Sequence, residues 1–154
     1  MRVIGIGNPL RGDDAIGLLV ARRVRELVDP EVEVMELEGE PARLIDAWQG
    51  AQLAVVVDAV SSGAPEGTVM RFDAGADSLP LSVSASSTHA LGLGDAIELA
   101  RALNRLPERL VVFGIEAAGF VAGSDLSPAV AAAVEPATEA VLREPTRANA
   151  APKT

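Results

Sequence analysis

The chain has 154 residues, the size of a single domain that buries roughly two-thirds of the surface its unfolded form exposes. Nearly half of it is hydrophobic, yet aromatics are only 3% and Tyr is absent, so the core must be built from Val, Leu, Ile and Ala. A formal charge of −9 repels nucleic-acid phosphates and anionic membrane surfaces, and the lack of Cys excludes a disulfide framework, a thiolate metal site and a cysteine nucleophile.

In chain order, Met1-Arg2 leads directly into the apolar run Val3-Ile4-Gly5-Ile6, with no cleavable leader, so secretion is not expected. The first strand is expected over Arg2–Ile6. Ile16, Leu19, Val20, Val24 and Leu27 then repeat at three- and four-residue steps, which predicts a helix from about Asp14 to Val28 with one apolar stripe. A strand at Val32–Leu37 and a short helix from Pro41 to Trp48 follow. Ala54-Val55-Val56-Val57 is continuously apolar, as a strand covered on both faces requires, so Leu53–Asp58 is expected in the middle of the sheet. Thr68–Phe72 comes after a Gly/Pro-rich connection too short for a helical crossover and reads as an antiparallel edge strand.

Leu93, Ile97, Ala100 and Leu103 mark a third helix beginning near His89, and Leu110–Ile115 is the fifth strand. Ser127-Pro128 opens a final Ala/Val-rich helix, which Pro136 should kink or divide. The alternation predicts an α/β fold: three αβα layers around a twisted, mostly parallel five-stranded sheet with one antiparallel edge strand. One domain is expected over 1–143, with a disordered tail over 144–154. No run approaches the roughly 20 apolar residues of a membrane span, so a cytoplasmic protein is expected.

In such sheets ligands bind beyond the carboxyl ends of the strands, where the strand order reverses. Three segments qualify. Gly5-Ile6-Gly7-Asn8-Pro9-Leu10-Arg11-Gly12-Asp13-Asp14 leaves the first strand, but it departs from the dinucleotide pattern G-x-G-x-x-G, and two acids at a helix start repel a pyrophosphate. One acid suffices to cap a helix, which leaves the other unexplained. Asp58 ends the central apolar run, where it could equally bond its own turn. His89, the sole histidine, follows the hydroxyl-rich Ser86-Ser87-Thr88. Two carboxylates and one imidazole at one sheet edge can bind a divalent transition metal with positions left open, and a helix N-terminus would keep the imidazole neutral. There is no G-x-S-x-G elbow and no H-E-x-x-H helix.

These residues resemble the hydrogenase maturation proteases. The likeness runs through Gly5-Ile6-Gly7-Asn8, Asp13-Asp14-Ala15-Ile16-Gly17, Val57-Asp58-Ala59, Gly67-Thr68-Val69, His89-Ala90-Leu91-Gly92-Leu93, Gly114-Ile115-Glu116 and Leu126-Ser127-Pro128-Ala129-Val130. It covers the chain to about Leu142. The resemblance implies an endopeptidase that removes the C-terminal extension of a nickel-loaded [NiFe] hydrogenase large-subunit precursor. It assigns Asp14, Asp58 and His89 as the catalytic and metal-contacting set, and the metal of interest is nickel already in the substrate. Aspartate stands at 14 where many members have glutamate. After the second strand the family often has an acid followed by a Gly-Gly-Thr-like turn, whereas this chain reads Glu36-Leu37-Glu38-Gly39-Glu40-Pro41, leaving the roles of Glu36 and Glu38 open. Three routes to bond cleavage stay open: carboxylates activating water as in an aspartyl protease, a metal polarising the carbonyl, or a site that only docks the substrate. Competing readings are a non-catalytic nickel-binding maturation module and an unrelated small hydrolase on the same fold.

Overall fold

The computed structural model describes residues 1–74, 92–119 and 123–150, with side chains described as far as Glu144. The elements are β1 (Arg2–Ile6), a 3-10 turn (Gly12–Ala15), α1 (Ile16–Leu27), β2 (Glu33–Leu37), α2 (Pro41–Trp48), β3 (Leu53–Val60), β4 (Val69–Asp73), α3 (Leu93–Ala102), β5 (Arg109–Glu116) and α4 (Pro128–Ala150). The sheet order is β2-β1-β3-β5-β4. β1 pairs parallel with β2 and β3, β3 pairs parallel with β5, and β4 alone is antiparallel, at the edge. The expected mostly parallel sheet with one antiparallel edge strand is thus what the chain forms. All eight residues of β3 are buried, as its unbroken apolar run predicts for a central strand.

Alternation along the strands divides the core into two layers. Val3, Val55, Val57, Val111 and Phe113 face α1 and α4 through Ile16, Val20, Val24, Val130, Ala137 and Val141. Ile4, Ile6, Val56 and Val112 face α2 and α3 through Leu44, Trp48, Leu93 and Ile97. Three αβα layers result.

Four expectations need correction. The predicted first helix is two pieces, the 3-10 turn and then α1. The third helix begins at Leu93 rather than near His89, because Gly92 is extended (φ −78°, ψ 175°) and the Asp95 carboxylate accepts its N–H at 3.2 Å, a local stop signal at the helix N-terminus. His89 itself lies outside the described residues. Pro136 does not divide α4. Pro136 and Ala132, whose carbonyl loses its donor, both face solvent, so water can satisfy that carbonyl while Val130, Ala133, Ala137 and Val141 keep one continuous buried stripe.

The fourth correction concerns the boundary at 143. Glu144 is 1% exposed and grips Arg71 of β4 through two oxygens, at 2.6 and 3.2 Å, and the helix continues through Ala150. Glu144 therefore packs into the domain, one residue past the expected boundary. Residues 151–154 lie outside the described residues.

Candidate active site

The strand order reverses between β1 and β3: from β1 the chain passes outward to β2, then returns to β3 on the other side. The β1 ladder to β3 ends at Gly5↔Val57, so Asp58 stands just past the last residue of β3 that β1 covers. It is not the strand's terminal residue, as expected from sequence, because β3 continues against β5 to Val60↔Glu116.

Glycines bring Asp14 to this point. A side chain on Gly17 would collide with the carbonyls of Ile6 and Val57, one on Gly5 with the Gly17 carbonyl, and one on Gly7 with the Asp14 carbonyl. Only with hydrogens there can the start of α1 press onto the ends of β1 and β3. The loop before it closes on itself: Asn8 N–H donates to the Asp14 carbonyl at 3.2 Å, Asp14 N–H to the Arg11 carbonyl at 3.1 Å, and Leu10 N–H to Asn8 Oδ1 at 2.9 Å.

Asp14 and Asp58 are each 3% exposed. The Asp58 carboxyl is pushed well above the usual carboxylate range, first by burial and then by the negative charge of Asp14; a bond accepted from Ala59 N–H at 2.8 Å opposes this only in part. Two of the three expected site residues are therefore electrostatic neighbours at the strand-reversal point. The third, His89, is outside the described residues, and among the described residues no group of three or more His, Asp or Glu is arranged to hold a metal.

Asp13 does not cap the helix. Neither the 3-10 turn nor α1 has a side-chain cap bond. The Asp13 carboxylate, 2% exposed, instead accepts four bonds from two distant segments: Ser127 N–H at 2.7 Å, Ser127 Oγ–H at 3.0 Å, Ala118 N–H at 2.7 Å and Gly119 N–H at 3.1 Å. Glu116, 4% exposed at the end of β5, holds the loop after β3 in the same way, accepting Ser62 N–H at 2.9 and 3.0 Å, Ser62 Oγ–H at 2.7 Å and Gly63 N–H at 3.1 Å. Sequence reasoning assigned Glu116 no role, although a carboxylate closing a continuously apolar strand is the signal that singled out Asp58.

Glu36 points elsewhere. It bonds Arg22 at 2.8 Å and Arg25 at 3.1 Å on α1, and although burial raises its pKa, the two arginine bonds outweigh burial and lower it. It is a clasp between β2 and α1. Glu38 is exposed.

A family model described as hydrogenase maturation protease (HycI) matches residues 19–144. The hydrogenase 2 maturation protease of Escherichia coli K12 is 30% identical over 145 residues, covering 91% of this chain and 87% of that protein. The hydrogenase expression/formation protein HupD of Thiocapsa roseopersicina is 28% identical over 91% of this chain, which spans 65% of HupD's length. The structure of the hydrogenase maturating endopeptidase HybD from E. coli shares the fold, with a TM-score of 0.75 at 24% identity over 96% of this chain and 92% of that one. No helix among the described residues is long and apolar enough to cross a membrane. With the family model matching most of its length and a 30% identical relative covered nearly end to end, the chain belongs to the hydrogenase maturation proteases, a peptidase family.

Proposed function

We propose that the chain is an endopeptidase that trims the C-terminal extension from the nickel-loaded large-subunit precursor of a [NiFe] hydrogenase, and that Asp14, Asp58 and His89 carry the reaction. The observation that supports this most is the burial of two acids as electrostatic neighbours at the strand-reversal point, an arrangement that costs folding energy. Catalysis gives it a purpose.

A carboxyl pushed up by burial and by a neighbouring carboxylate retains its proton at a pH where an ordinary aspartate is ionised. Asp58 can then donate a hydrogen bond or a proton to the scissile carbonyl oxygen or the leaving nitrogen. Asp14 supplies the complementary acceptor, able to draw a proton from an attacking water. Proton transfer of this kind is worth about 10²–10⁴ in rate. The substrate's nickel would be read by the same oxygens together with His89, whose nitrogen supplies the softer ligand that a pair of carboxylates lacks.

The test is incubation with nickel-loaded and nickel-free precursor, followed by intact-mass measurement. Cleavage confined to the nickel-loaded form, and lost in a folded His89→Ala variant, supports the reading. Efficient cleavage of nickel-free precursor contradicts it.

A further inference from the structure

We infer that Asp13 and Glu116 are positioning residues: they set the separation between Asp14 and Asp58 by clamping the segments that carry those acids to one stretch of backbone, residues 116–119. Neither reaches the reacting atoms in this account. Each works through the hydrogen bonds it gathers.

The connection can be followed atom by atom. The 3-10 turn holding Asp14 is fastened through the preceding residue, whose carboxylate takes the N–H groups of Ala118 and Gly119 and whose own N–H donates to the Gly119 carbonyl at 3.2 Å. Two residues upstream of Ala118, Glu116 takes the N–H groups of Ser62 and Gly63, just after the strand bearing Asp58. Its backbone meanwhile lies in register with Val60, two residues beyond Asp58. Residues 116–119 thus tie the Asp14 turn to the Asp58 strand. Ser127, which gives Asp13 both its N–H and its hydroxyl, fastens the start of α4 to the same clamp.

Such a clamp has a task. The turn bearing Asp14 has no side-chain cap of its own to resist displacement, and two buried carboxyls can act together only if their spacing is held. Both clamp residues are also placed so that only a carboxylate fits. Each oxygen of Asp13 and each oxygen of Glu116 accepts at least one backbone N–H, so an amide in either orientation would turn an NH₂ group toward a donor. Asp13→Asn should therefore be far from conservative, contrary to the mild effect expected of a helix cap.

The kinetic arm of the test rests on the peptidase reading, so a structural arm is run beside it. Asp13→Asn, Glu116→Gln and the milder Ser127→Ala and Ser62→Ala are compared with wild type on nickel-loaded precursor, well below each variant's melting temperature. Thr138→Val is the control, removing a buried bond inside α4, to the Val134 carbonyl at 2.7 Å, that touches no clamp atom. We expect kcat to fall about 10- to 100-fold in the two carboxylate variants, the scale of a small misplacement of reacting groups, with KM within about twofold. The two serine variants should lose less, and Thr138→Val should keep full kcat. In the structural arm, Ser62→Ala should shift the backbone amide resonance of Asp14, and Ser127→Ala that of Asp58, each across the clamp. If Asp13→Asn does not fold, the serine variants decide. Unchanged kcat in folded variants, equal loss in Thr138→Val, or amide resonances that stay in place would overturn the assignment. If wild type cleaves nothing, the peptidase reading fails, and the amide shifts still test the clamp.

Discussion

Two buried carboxyls, one held against the antiparallel edge strand and one on the central strand, live in contrasting surroundings. Glu144, on α4, meets the Arg71 guanidinium through two oxygens, and a second arginine, Arg109, lies 3.9 Å away. Asp58 meets another acid and the N–H of its own neighbour. The first arrangement pairs opposite charges; the second makes ionisation of Asp58 costly, first through burial and then through the negative charge of Asp14. Stability explains Glu144 and cannot explain Asp58, so the difference separates the part of the molecule built to hold from the part built to react.

The largest effect that could break this contrast is on cleavage. Asp14→Asn should lower kcat by about 10²–10⁴ while leaving the melting temperature at or above wild type, as measured by precursor trimming beside thermal unfolding. A variant that melts early but trims normally would make Asp14 a structural group.

The opposite outcome is expected at the edge strand. Glu144→Ala should cost about 3 kcal/mol, the lower end for breaking a buried pair because Arg71 keeps about a third of its exposure, and it should spare activity at temperatures where the protein is folded. Ending the chain after Glu144 should be tolerated, whereas ending it after Arg143 should destabilise as much as Glu144→Ala. Urea titration of the three proteins measures this.

A pH series sharpens the comparison further. Because the folded pKa of Asp58 is raised, its contribution is most favourable below the unfolded value and is lost as pH climbs through the folded value. Asp58→Asn should therefore stabilise the protein at neutral pH, with the advantage shrinking as pH falls toward 4. An advantage that grows on acidification would contradict the like-charge pairing. Glu36 has the reverse sign: its lowered pKa means that stability present at neutral pH is lost as pH falls through the folded value. The clasp is partly exposed, so Glu36→Gln should cost only about 0–1 kcal/mol and less at high salt, the smallest of these effects.

What the sequence disclosed follows from the range of each interaction. The apolar stripe of α1, the unbroken run of β3 and the short link before β4 are local patterns, and each foretold its element. The two acids could be nominated because each borders a recognisable local pattern, Asp14 the apolar stripe of α1 and Asp58 the apolar run of β3. Asp13 could not be understood that way, since its partners at 118, 119 and 127 are more than a hundred residues distant and no spacing betrays them. The same holds for Glu144, which opens a stretch without apolar periodicity but bonds a strand residue 73 positions earlier. The helix start at Leu93 was legible after all: Gly92 followed three residues later by Asp95 is a capping pattern, and it outweighs the hydroxyl-rich stretch before His89.

The central claim is that the Asp14–Asp58 pair performs the cut. Its most direct test is the intact mass of nickel-loaded large-subunit precursor after incubation with wild-type protein and with Asp58→Asn at equal folded concentration. The account predicts one shortened product with wild type and unchanged precursor with the variant over the same time. Trimming by Asp58→Asn at the wild-type rate, or intact precursor after incubation with wild type, would contradict it.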